Sequence, residues 1–107
     1  MESVFRALAD RSRRALLDAL FDEDGQPLTA LCGELSMSRQ AVSKHLRILE
    51  DAGLVVTHFQ GREKFHYLNP VPIAEIGDRW VAKFARRRVA AVAALKAGLE
   101  EETDEQT

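Results

Sequence analysis

Residues 36–55 read SMSRQAVSKHLRILEDAGLV, and the rest of the chain is organised around this stretch. Ser38 offers a hydroxyl N-cap and Gly53 a C-cap, so residues 39–52 between them spell a helix. At about 3.6 residues per turn, Ala41, Val42, His45, Leu46, Ile48, Leu49 and Ala52 fall on one arc. Arg39, Gln40, Ser43, Lys44, Arg47, Glu50 and Asp51 fall on the other. Such a helix has one buried and one wet face. The wet face is graded along its length: cations, an amide and a hydroxyl come first, and the acids Glu50 and Asp51 occupy the last turn. A merely solvated face needs no gradient, although charged helix faces are common. A helix whose N-terminal half enters the DNA major groove does need one, because its far end can then carry groups that a polyanion repels. Arg and Lys suit phosphate and guanine, Gln suits adenine, and Ser accepts or donates.

Upstream, residues 2–9 (ESVFRALA) spell a short helix with Val4, Phe5 and Leu8 on one side. Asp10 can cap a second helix from Arg11 to about Phe21, striped by Leu16, Leu17 and Leu20. Its first turn carries Arg11, Arg13 and Arg14, which oppose the helix dipole and call for ion pairs with nearby acids. DEDGQP, residues 22–27, has the composition of a turn. Thr29 can cap a third helix over residues 30–35, with Leu28, Leu31 and Leu35 inward. A short helix, a tight turn at 36–38 and a polar-faced helix make a helix-turn-helix.

Downstream, VVTHFQ and EKFHYL flank Gly61-Arg62, a β-hairpin pattern that puts Arg62 and Lys64 at or near its tip. NPVP, residues 69–72, breaks the pattern, and residues 73–99 then read as one long helix. Its apolar residues form two adjacent stripes. Ile73, Ile76, Trp80 and Phe84 make one; Val81, Ala85, Val89 and Val92 make the other, with Leu95 and Leu99 following. So wide an arc exceeds what a small domain can cover, and a second subunit is the natural cover. The expected interface comprises Val4, Phe5, Leu8, Trp80, Val81, Phe84, Val92 and Leu95. The expectation is one domain, residues 1–99, followed by an acidic, disordered tail over 100–107.

The net charge of −2 argues weakly against DNA binding. However, five of the 17 acids lie in the last eight residues; without them 15 bases face twelve acids. A local basic patch matters more than the net value. No apolar run approaches the ~18 residues of a membrane span. The N-terminus lacks a signal-peptide core, so a cytoplasmic location is expected. One cysteine, Cys32, excludes an internal disulfide and fits a reducing compartment.

The order of elements resembles the ArsR family of winged helix-turn-helix transcriptional regulators. FRALADRSRRALLDAL is similar to the family's opening pattern, SRQAVSKHLRILEDAGLV to its recognition helix, and GREKFHYLN to its wing. Arg11 departs from the pattern, where proline is usual; a helix start accepts either. The resemblance implies a mainly α fold with a small β-hairpin wing and a long C-terminal helix. It also implies a homodimer on palindromic double-stranded DNA, usually a repressor released by an inducer, here unidentified. Carried over by position, Ser38, Arg39, Gln40, Ser43 and Lys44 would lie at the major groove, Arg47 near phosphates, and Arg62 and Lys64 on the wing.

Many members of the family sense metals. The thiolate site needs a Cys-x-Cys pair on the helix before the recognition helix, where this chain has Pro27, Leu28 and Thr29; Cys32 lies beyond them, alone. A second site needs Asp and His on the last helix, where this chain has Glu75 and Asp78 but no histidine. The expectation is therefore no metal and no cofactor. His45, on the apolar arc, reads as a buried, hydrogen-bonded histidine. His58 and His66 would face each other across a three-residue hairpin loop but not across a two-residue one. No nucleophile–base pair or phosphate loop stands at a recognisable spacing. Two rival readings are a winged helix used as a protein-interaction module and a ligand or metal sensor with an unrecognised site. Against the first, protein interfaces favour apolar anchors over the polar face at 39–47.

Overall fold

A computed structural model describes residues 1–105, and side chains as far as Glu101. The elements are α1 (Glu2–Leu8), α2 (Arg11–Asp22), β1 (Gln26–Pro27), α3 (Leu28–Glu34), α4 (Arg39–Asp51), β2 (Val55–Gln60), β3 (Glu63–Leu68) and α5 (Val71–Glu105). They divide into two units, Met1–Ile73 and the remainder of α5 from Ala74 onward.

In the first unit α4 is the hub, packing against α1, α2, α3 and β2. Val42, Leu46 and Leu49 from its apolar arc are buried together with Leu16 and Leu20 of α2, Leu31 of α3 and Leu54. The predicted caps form. The Ser38 hydroxyl accepts from Ala41 N–H at 3.2 Å, and the Asp10 carboxylate accepts from Arg13 N–H at 3.1 Å. At the far end of α4, Gly53 N–H donates to the Glu50 carbonyl and Leu54 N–H to the Leu49 carbonyl, both at 2.9 Å. This double closure needs a left-handed residue, and Gly53 supplies it with φ 77°. Leu54 is thereby folded back beside Leu49, and both are fully buried.

α1 and α2 are joined by arginines in a way the sequence did not suggest. Arg13 Nε donates to the Ala7 carbonyl at 2.8 Å and Nη2 to the Arg6 carbonyl at 3.0 Å. Arg14 Nη1 donates to the Leu8 carbonyl at 2.8 Å. The cations at the start of α2 therefore donate to carbonyls at the end of α1, where helix dipole and charge agree. The expected ion pair is marginal, with Arg13 and Asp10 4.0 Å apart.

Four boundaries differ from expectation. Residues 26–27 are not turn but a short strand, giving an antiparallel sheet in the order β1-β3-β2. His66 Nδ1–H donates to the Gln26 carbonyl at 2.9 Å, and the Gln26 side-chain amide donates to carbonyls of Ala19 and Glu23. Because β1 delivers the chain directly into α3, that helix starts at Leu28 behind Pro27, and Thr29 caps nothing. α5 starts at Val71, earlier than Ile73, since a first-turn Pro72 needs no N–H partner. It also continues to Glu105, through most of the stretch read as a disordered tail; residues 106–107 lie outside the described residues.

The second unit is α5 itself. Trp80, Val81, Phe84, Val89, Val92, Leu95 and Leu99 are all exposed. Lys83 lies over the Trp80 ring, 5.0 Å from its centre.

Candidate nucleic-acid interface

The capped start of α4 presents Arg39, Gln40, Ser43, Lys44 and Arg47 on one exposed face. No acid lies in its first turn. Cations next to a helix N-terminus oppose the dipole in the free protein, and an arriving phosphate turns that cost into attraction. Ser38 is exposed too, but its oxygen is engaged by Ala41 N–H. Its O–H remains available as a donor.

The hairpin register is set by Gln60 pairing with Glu63, so the loop is the two residues Gly61 and Arg62. Arg62 is exposed at the tip. Between wing and helix lies a cleft of about 640 Å³ whose wall includes Thr29, Arg39, Ser43, Arg47, Arg62 and Lys64. Thr29, at the start of α3, is a member of this surface that the sequence reading assigned to capping.

Lys64 departs from expectation. Its Nζ lies 2.9 Å from Glu50 Oε1 on the last turn of α4. The wing is thus tied to the recognition helix by an ion pair, and the Lys64 charge is not presented singly to a polyanion. Glu50, read as merely remote from DNA, takes part in holding the wing. Sequence spacing alone gives no signal of a contact between α4 and β3.

His45 is half-buried, with Nδ1 3.3 Å from Arg13 Nη1. A guanidinium only donates, so Nδ1 accepts and the ring proton sits on Nε2. One arginine therefore joins α1, α2 and α4. Asp10, beside it, has its carboxyl held below the usual 3.8, chiefly by the hydrogen bond from Arg13 N–H. His58 faces Phe65 across the hairpin, while His66 faces Thr57; the two-residue loop keeps the histidines apart. Among the described residues no three His, Cys, Asp or Glu side chains converge.

The residues expected at a subunit interface are also divided. Trp80, Val81, Phe84, Val92 and Leu95 are exposed on α5, and Phe5 is exposed on α1. Leu8 is half-buried. Val4 is 6% exposed and belongs to the core of its own unit. With Ala7 three residues on, it forms the inward face of α1, which leaves Phe5 outside. Val4 therefore packs inside its own unit and does not face outward with Phe5.

A three-helix core, a capped recognition helix with a cationic outer face and an adjoining hairpin wing define a class: winged helix-turn-helix DNA-binding regulators. A helix-turn-helix domain model matches residues 8–58. The uncharacterized HTH-type transcriptional regulator YuzN of Bacillus subtilis (strain 168) is 35% identical over 86 residues, 75% of this chain and 94% of that one. The transcriptional repressor SdpR of the same organism is 29% identical over 89 residues, 81% and 94% of the two chains. The structure of an ArsR-like transcriptional regulator from Rhodococcus sp. RHA1 superposes with a TM-score of 0.70 at 32% identity, covering 85% of this chain and 87% of that one. The chain belongs to the ArsR family of transcriptional regulators. It is a DNA-binding regulator, not an enzyme. Among the described residues no helix is long and apolar enough to cross a membrane.

Proposed function

We propose that this regulator is a cytoplasmic repressor that binds a palindromic operator as a homodimer and needs neither metal nor cofactor for binding. Residues 1–99 form the DNA-binding and dimerisation domain. The observation that carries the reading is the exposed, acid-free first half of α4, with Arg39, Gln40, Ser43, Lys44 and Arg47 on one face. Gln40 and Ser43 read base edges; Ser38, Arg39 and Lys44 act at the groove and its rim. Arg47 and Arg62 neutralise phosphates, and Lys64 does so only when released from Glu50. The similarity to SdpR, a transcriptional repressor, supports repression. The exposed apolar rows of α5 and, in the other unit, the exposed Phe5 of α1 each support pairing of two chains. The test is selection from a random duplex pool with the purified chain. Enrichment of an inverted repeat, bound by two chains per duplex with no response to zinc or chelator, is expected. Recovery of unenriched sequence, or binding that requires added metal, contradicts the reading.

A further inference from the structure

From Arg79 to Leu99, α5 carries Arg79, Lys83, Arg86, Arg87, Arg88 and Lys96 and not one acid, in a chain whose acids outnumber its bases. Arg79, Lys83, Arg86 and Arg87 follow one another at steps of four, three and one, which sets them in one ridge along the helix. At about 3.6 residues per turn the ridge lies opposite the row of Val81, Phe84, Val92, Leu95 and Leu99. All four cations are exposed. No ion pair among the described residues engages Lys83, Arg86 or Arg87. Lys83 rests over the Trp80 ring, a contact that leaves its charge in place.

A merely solvated helix face mixes charges, because opposite signs one turn apart stabilise it. Here Arg79 and Lys83, and again Lys83 and Arg87, are like charges four residues apart, and each pair is mildly destabilising in the free chain. Neighbouring acids do not offset them. Glu75 stands one turn before Arg79, at the very start of the ridge. Glu100 stands thirteen residues beyond Arg87, about 20 Å along the axis, and salt at about 0.1 M screens exposed charges beyond about 10 Å. A polyanion would turn the repulsion into attraction.

The chemistry of the ridge selects among polyanions. Residues 79–99 hold no amide and no hydroxyl side chain, and Ala82, Ala90 and Ala93 flank the cations. Protein interfaces need apolar anchors, which alanines do not supply. A lipid surface needs the apolar row of the same helix, which pairing of two chains covers. Phosphates of duplex DNA need only exposed cations, and they stand one per about 1.7 Å of axis, so the roughly 12 Å from Arg79 to Arg87 faces several. Resting on the operator-binding dimer of the proposed function, we infer that this ridge is a second DNA-binding surface. It holds a further stretch of duplex through its phosphates, without regard to sequence, while α4 holds the operator.

The test uses the full chain bound to an immobilised, selected operator duplex and challenged with a labelled scrambled duplex. The parent complex should capture the second duplex. Changing Lys83, Arg86 and Arg87 together to Gln should cut capture about tenfold or more. The same change should flatten the fall of log K with log salt by about two to three units, and leave operator affinity within about twofold. Arg86→Lys with Arg87→Lys should keep capture within about threefold, since a phosphate also accepts a point charge. Lys96→Gln, off the ridge, should leave capture unchanged. If the triple variant does not fold, Arg86→Gln and Arg87→Gln decide singly, each flattening the slope by about one unit. No capture by the parent complex, or equal capture by the glutamine variants, overturns the ridge. So does binding of phosphatidylglycerol vesicles without capture of duplex. A parent that captures duplex but does not prefer the operator overturns the function reading alone. A parent that prefers the operator but captures no second duplex overturns the ridge alone.

Discussion

Arg13 shows what a single residue contributes beyond its charge. Its side chain, 12% exposed, joins the end of α1 to α2 and α4 through carbonyls of Arg6 and Ala7 and the His45 ring. Arg13→Ala should cost about 2–4 kcal/mol in urea unfolding, since it strips charged hydrogen bonds from a part-buried site. Arg13→Lys should recover little of that, because a single ammonium cannot reproduce the fork. A full recovery by lysine would show that charge alone matters. Asp10 gives a pH-dependent companion. Its carboxyl titrates lower in the folded chain than in the unfolded one. The stability it adds is present above its ordinary value of 3.8 and is lost as pH falls through the lower, folded value. Asp10→Asn keeps a capping oxygen and should flatten that part of the acid-unfolding curve; an unchanged curve contradicts the assignment. Ser38, Asp10 and Gly53 were legible as caps because capping chemistry is local. The role of Arg13 was not, because its acceptors lie on another helix and depend on how α1 turns into α2.

At the scale of elements, α4 was readable because burial and exposure divide it at one period: Val42, Leu46 and Leu49 inward, Arg39, Gln40 and Ser43 outward. The two-strand hairpin was readable from its β-branched runs, but its register was not, since Gly61-Arg62 permits more than one loop length. β1 was hidden for another reason. Two residues ending in proline carry no strand pattern, and what makes them a strand is the pairing of Gln26 with His66 forty residues away. The Glu50–Lys64 ion pair is likewise a product of tertiary packing. It leads to a prediction about the salt dependence of binding. Glu50→Ala should release Lys64 toward phosphate and steepen the fall of log K with log salt by up to about one unit. Arg47→Ala and Arg62→Ala should flatten it by about one unit each. Filter-binding titrations over salt check all three, and a flatter slope for Glu50→Ala contradicts the assigned pair.

For the molecule as a whole, α5 leaves Trp80, Phe84 and Val92 uncovered in a single chain, which is why two chains are expected to act together. Phe84→Asp should shift sedimentation from dimer to monomer without loss of helix signal and abolish tight operator binding; a variant that remains dimeric contradicts the interface. The length of α5 was only partly legible. A run of acids after Leu99 reads as solvated tail by composition, yet glutamate is also a good helix former when a long helix is already under way. On the proposed function, the first half of α4 reads sequence while the cations around it bind any DNA. The most direct measurement compares the parent and Gln40→Ala on a selected operator and on a scrambled duplex, from about 50 to 200 mM salt. Gln40→Ala should lose about 1–3 kcal/mol on the operator and almost nothing on the scrambled duplex, with the salt slope unchanged on both. Equal losses on the two duplexes, or parental affinity for the operator, would contradict it.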